Sequence, residues 1–152
     1  MNEQESSMQL ELLTFQLSEQ EYSLDIMCVR EIRGWTKTTP LPHAPNYMKG
    51  VINLRGTVLP VIDLKERLGL PQGMHSDRNV IIVVKHEDAM TGLLVDAVSD
   101  IIAISDSEIQ PPPEMQTGSE TGVIRGLTLR DERMIRILDL NSLIGPKVSE
   151  VA

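Results

Sequence analysis

Glu31 and Arg55 are the side chains of this sequence that core packing and turn chemistry explain least. Arg55 stands in Val51-Ile52-Asn53-Leu54-Arg55-Gly56, where Gly56 can supply a positive φ to a turn. A carboxylate and a guanidinium can tie two strands together, or orient the rim of a binding groove through bidentate contacts. Both readings stand, and they are compatible. The other chemistry-bearing residues have plainer explanations. His43, His75 and His86 lie in turns or a proline-rich stretch, without metal-pair spacing, and read as exposed loop residues. Asp63-Leu64-Lys65-Glu66 has the form of a capping box that Gly69 ends, and Asp139 opens a matching segment that Gly145-Pro146 ends. Cys28 is the only cysteine, which excludes an internal disulfide and a cysteine-rich metal site. It reads as a small buried apolar residue. The chain has no GxSxG, Walker A or GxGxxG motif. No catalytic, metal or cofactor site is expected, and binding is the chemistry that remains.

The segments that must position Glu31 and Arg55 occur twice. Tyr22 to Ile32 aligns without a gap on Thr91 to Ile101, with Leu24 on Leu93, Val29 on Val98, Glu31 on Asp100 and Ile32 on Ile101. Gly50-Val51-Ile52 leads to Val61-Ile62-Asp63-Leu64, as Gly122-Val123-Ile124 leads to Ile137-Leu138-Asp139-Leu140. We read offsets of 69 and 72 residues, hence a duplication with a short insertion. On this alignment Arg125 falls near the place of Arg55, so an acid and an arginine recur in both halves.

Each half has the pattern of a small β-barrel. Leu10 to Leu17 and Tyr22 to Ile26 form a hairpin, followed by a strand over Val29 to Thr36. Pro40, Pro42 and Pro45 force an extended or irregular segment. Gly50 to Asn53 and Val58 to Ile62 are strands around the Leu54-Arg55-Gly56-Thr57 turn, and Pro60 marks the second as an edge or bulged strand. In the second half, Asn79 to Lys85 pairs with Gly92 to Ala97, and Ser99 to Ile104 continues the sheet. Pro111-Pro112-Pro113 stands for the proline-rich bend, and Ile124 to Leu129 pairs with Met134 to Leu138. We expect a mainly β protein of two five-stranded barrels, with short helices, around a shared core. Residues 1–8 and 147–152 are expected to be tails and 9–146 one domain, divided near 75 and 76, with exchange of strands between the halves left open. Two halves of roughly 70 residues would each be marginal alone.

A net charge of −8 and 3% aromatic residues argue against nucleic acid as a partner. No apolar run reaches 18 residues, so direct membrane insertion is not expected and the expected location is cytoplasmic.

The stretches EYSLDIMCVREIRG, KGVINLRGTVLPVIDL, GLLVDAVSDI and RMIRILDL, in this order, resemble the CheW family of bacterial chemotaxis coupling proteins. The resemblance runs from about Leu12 to Leu143. It implies two SH3-like barrels, no catalysis and no cofactor. It also implies a role as an adaptor, monomeric alone, that joins the cytoplasmic tips of chemoreceptors to the regulatory domain of the histidine kinase CheA in a membrane-associated array. The receptor-facing surface would include Val29, Glu31, Arg55, Val98 and Ile101. Gly50, Asn53, Leu54 and Gly56 match positions tied to partner binding, with the partner open. A regulatory module of the CheA or CheV type, or a paralogue serving a non-flagellar array, is the alternative. The chain lacks kinase and receiver regions, which favours the stand-alone adaptor.

Overall fold

Four pairs of residues reverse the chain. Ser18-Glu19, Arg55-Gly56, Glu87-Asp88 and Asp131-Glu132 all have both φ values between 50° and 90°. Each pair joins two strands by a two-residue loop, the geometry whose twist matches that of the strands it connects. A computed structural model describes residues 9–70, 79–111 and 123–144. His75, Pro112, Pro113, Gly122, Gly145, Pro146 and both expected tails lie outside these ranges.

The strands are β1 (Gln9–Leu17), β2 (Gln20–Asp25), β3 (Val29–Gly34), β4 (Met48–Leu54), β5 (Thr57–Asp63), β6 (Val80–His86), β7 (Ala89–Val95), β8 (Ala97–Ser105), β9 (Ile124–Arg130) and β10 (Arg133–Leu138). Two short helices, α1 (Leu64–Leu68) and α2 (Leu140–Ile144), follow β5 and β10. The strands form two five-stranded sheets, ordered β8-β1-β2-β10-β9 and β3-β6-β7-β5-β4. The chain is thus mainly β, as expected. The sheets, however, do not part at residue 75. After β2, a single 3₁₀ turn over Ile26–Cys28 carries the chain into the other sheet, where β3 pairs with β6. After β7, β8 crosses back to pair with β1. Each sheet therefore takes two strands from one half and three from the other.

Burial follows the two-residue strand period. Ile81 and Val83 point into a cluster with Ile52, Leu54, Leu59, Val61 and Leu94, inside the β3–β7 sheet. Ile82 and Val84 point the other way, into the largest cluster, with Leu13, Phe15, Tyr22, Leu93 and Leu138. That cluster joins both sheets and is the shared core. Leu12, Ile102, Ile104, Ile135 and Ile137 fill the inside of the other sheet. A strand buried on both faces reads as an unbroken apolar run, which explains Ile81-Ile82-Val83-Val84. Pro60 lies in β5, an interior strand, but β5 meets β7 only over Val61–Asp63. At Pro60 the recorded neighbour is Val51 of β4, so the edge expectation holds locally.

The second offset needs correction. Gly50 lies under the Thr39 carbonyl beside the Thr39–Val51 bridge, and Gly126 lies under the Gln110 carbonyl beside the Gln110–Leu127 bridge. Gly126, not Gly122, is the counterpart of Gly50, at an offset of 76 residues (126 less 50) that also relates Asp63 to Asp139 and Arg55 to Asp131.

Asp63 caps α1, accepting from the Lys65 and Glu66 N–H groups at 3.1 and 3.4 Å. Asp139 instead accepts from the Ser142 hydroxyl at 2.9 Å. Arg67 crosses from α1 to the end of α2, donating to the Leu143 and Ser142 carbonyls at 3.0 and 3.1 Å. Asp63→Ala should cost about 1 kcal/mol, the usual value of a lost helix cap. A urea melt of the variant checks it, and an unchanged midpoint would remove the capping role.

Candidate partner-docking site

The candidate site begins with the 3₁₀ turn before β3. The Asp25 carboxylate accepts from the Met27 N–H at 3.0 Å and fixes the turn. A register shift between Val29 and Glu31 then sets Glu31 opposite Val83 and Arg33 opposite Ile81. Both charged residues therefore share the face of β3 that looks toward the inside of its sheet. Arg55 comes from the β4–β5 turn at φ 51°, followed by Gly56 at 86°. The Asn53 side chain accepts from the Gly56 N–H at 2.9 Å and holds this turn closed.

Arg55 and Glu31 meet in a bidentate pair, at 2.7 Å from Nη2 to Oε1 and 3.4 Å from Nη1 to Oε2. Arg33 donates to the same carboxylate, Nη1 to Oε2, at 3.2 Å. Because β3 and β4 are the two edges of their sheet, this cluster bridges its seam. The Arg55 side chain is 70% exposed and that of Glu31 26% exposed. Two guanidinium groups share one carboxylate, so the cluster presents net positive charge on a chain of −8.

Hydrogen bonding from Arg55, aided by Arg33, holds the Glu31 carboxyl below the ordinary glutamate value of 4.5, against a weaker opposing effect of desolvation. A carboxylate with a lowered folded pKa contributes stability above its unfolded pKa and loses it as pH falls. The parent should therefore lose a stabilising contribution below about pH 4.5 that Glu31→Gln never has. Thermal melts of both proteins from pH 7 to 3 check this. Curves that stay parallel throughout would contradict it.

The expected recurrence of an acid and an arginine is not found. Asp131, an acid, occupies the turn position of Arg55 in the other half. The Asp100 carboxylate accepts from the Ile101 N–H at 2.8 Å, and the Asp100 and Arg125 side chains form no ion pair. The seam of the second sheet is bridged instead by Arg130, which donates to the Ala103 carbonyl at 3.2 Å. Among the described residues, a charge pair across the seam is found in one sheet only.

The other sequence candidates divide by exposure. Val29 and Val98 are half-buried and pack on the shared core. Ile101 is 53% exposed. Its repeat partner Ile32, 46% exposed, was missed although the first alignment pairs the two. Asn53 and Gly56 are exposed, while Leu54 and Gly50 are buried. Any effect of those two on a partner must run through their neighbours.

The remaining reactive groups are quiet. Cys28 is partly buried, its thiol donates to the Asp25 carbonyl at 3.0 Å, and burial, with Asp25, pushes its pKa to about 11. It stays protonated and unreactive near neutral pH. His43 is exposed, but His86, expected in a loop, is half-buried at the end of β6 and hydrogen-bonds Asn141 of α2. Among the described residues no cluster of His, Cys, Asp and Glu is placed to hold a metal, and no helix is long and apolar enough to cross a membrane.

Comparison with known proteins agrees with this architecture. The sequence profile of the CheW-like domain matches residues 11–147. The probable chemotaxis protein CheW of Rhizobium etli is 49% identical over 142 residues, covering 93% of this chain and 92% of that protein. The chemotaxis protein CheW of Rhizobium meliloti is 47% identical over the same shares. A crystal structure of the scaffolding protein TtCheW from Thermoanaerobacter tengcongensis superposes with a TM-score of 0.85 at 37% identity, covering 92% of this chain and 95% of that one.

Proposed function

The chain belongs to the CheW-like domain family, and from that membership we propose that it is a chemotaxis scaffold that acts by binding, without catalysis. It joins the cytoplasmic tips of chemoreceptors to the regulatory domain of the kinase CheA, and it works at the receptor array. The observation that carries the site is the Glu31–Arg55 pair. It is exposed, it is bidentate, and the equivalent positions of the other half do not reproduce it. A structural tie alone would not need a guanidinium so open to solvent. Exposed pairs are screened and contribute little to stability, whereas a preorganised arginine fork is suited to a partner's carboxylate or carbonyl groups. Ile32 and Ile101 supply exposed apolar surface on the edge strands β3 and β8. A helical receptor hairpin would use such apolar anchors beside a charged rim.

Reconstitution tests the reading. CheA and receptor-bearing membranes of the same organism are assayed for autophosphorylation with and without the chain. Strong activation only in its presence, reversed by attractant, is expected. No activation and no co-sedimentation of CheA would remove the coupling role.

A further inference from the structure

Between the described strands the chain crosses from sheet to sheet after β2 and again after β7. The first crossing, the turn over Ile26–Cys28, is fixed locally by Asp25. The second is the single residue Asp96, between Val95 of β7 and Ala97 of β8. Its carboxylate is held from both sides. Oδ2 accepts from the Ser18 N–H at 2.9 Å, in the β1–β2 turn of one sheet. Oδ1 pairs at 3.0 Å with Nζ of Lys65, on the helix α1 that follows β5 of the other sheet. The Lys65 side chain is only 13% exposed, so salt screens this pair less than a surface bridge. Arg67, also on α1, makes a second tie of the same kind. It donates to the Leu143 and Ser142 carbonyls of α2, which follows β10 of the first sheet. Leu64 and Leu68 of α1 are buried in the shared core. A five-residue helix has little stability of its own. This one nevertheless sets two cations, each against acceptors carried by elements that lead into or out of the other sheet.

We infer that α1 fixes the angle between the two sheets, and that Lys65 and Arg67 are positioning residues for the docking face. That face draws on both sheets. Glu31, Ile32 and Arg55 come from the β3–β7 sheet, and Ile101 from β8 of the other. Within a sheet, the strand ladders hold these residues in place. Between the sheets, the crossings, the shared core and the α1 ties must do so. Loss of the ties leaves each ladder intact but lets the two sides of the face part, a hinge motion about the crossings. If the competent angle is then populated about a tenth of the time, apparent affinity for a partner falls about tenfold. The docking half of the inference rests on the coupling role proposed above. The angle itself does not, since it is read on the free chain.

Two nitroxide probes on the full chain report the angle by pulsed electron paramagnetic resonance. They are placed at Glu11→Cys in β1 and Lys85→Cys in β6, exposed positions of the two sheets, with Cys28→Ala to leave only these thiols. The otherwise unaltered chain should give one narrow distance. Lys65→Met with Arg67→Met should broaden or shift that distance and lower receptor co-sedimentation about tenfold. Lys65→Met alone should do the same in smaller degree, which keeps the test valid if the double variant does not fold. Lys65→Arg, which retains the pair with Asp96, should match the parent. Ile135→Val, a truncation inside the other sheet, should lower the melt and leave the distance unchanged. A distance that stays narrow without Lys65 and Arg67 would overturn the inference. So would an equal broadening by Ile135→Val, which would reduce the effect to lost stability. A broadened distance with association unchanged would overturn the positioning role. Failure of the parent itself to associate would count against the coupling role, and the distance alone would then decide whether α1 sets the angle.

Discussion

Gly50→Val should unfold most of the chain under mild denaturant and abolish coupling, although Gly50 presents no side chain to any partner. Gly50 has φ 145°, a region that L side chains rarely adopt. A Cβ built there falls 2.3 Å from the Thr39 oxygen, 2.7 Å from its carbonyl carbon and 3.1 Å from Pro40 Cα. All three are backbone atoms, so no rotamer change relieves the clash. Relief requires breaking the two 2.9 Å hydrogen bonds between Thr39 and Val51. Backbone strain of about 1–3 kcal/mol and two lost bonds of about 1 kcal/mol each bring the cost to about 3–5 kcal/mol. That is a large fraction of the 5–15 kcal/mol typical of a domain. Residues 37 and 38 would move with Thr39. A urea midpoint equal to that of the parent would show that the Thr39 segment yields freely. Gly126→Val is the internal comparison, since its Cβ would sit 2.5 Å from Ile109 Cγ2 and 2.9 Å from the Gln110 oxygen.

Arg55→Glu should have the largest effect on function at the smallest cost in stability. The substitution sets a second carboxylate against Glu31 and reverses the charge of the most exposed member of the cluster. The fold should persist, because Arg55 lies in a solvent-facing turn and the apolar clusters do not include it. Receptor association should weaken on the order of tenfold to a hundredfold, as for loss of a hydrogen-bonded charge at an interface. Co-sedimentation with receptor-bearing membranes, beside a thermal melt, reads both quantities. A melting temperature lowered as far as by a core truncation, with association intact, would make the pair a structural tie.

The hairpins and the duplication were legible in the sequence because both are local. Two-residue turns between apolar strands, and the run Ile81-Ile82-Val83-Val84, carry their own period. The exchange of β3 and β8 between sheets was not legible. It is decided by the 3₁₀ turn at Ile26–Cys28 and by packing on the shared core, and no local pattern separates a strand that stays from one that crosses. The offset error has a physical source as well. Gly122-Val123-Ile124 copies the letters of Gly50-Val51-Ile52, but the need for glycine comes from a carbonyl lying over it, and that carbonyl lies over Gly126. The error brought Arg125 near the place of Arg55 and created the expectation of a second charge pair. Glu31 and Arg55 were legible as a pair because nothing else in the sequence explained them.

The most direct test of the docking face is the charge swap Glu31→Arg with Arg55→Glu, measured for receptor co-sedimentation and for thermal stability together. The swap restores an ion pair across the seam but reverses the charges offered to a partner. Parent-like melting with receptor association still lost is the predicted result. Association restored to the parent level would contradict it, and would show that the pair only ties β3 to the β4–β5 turn.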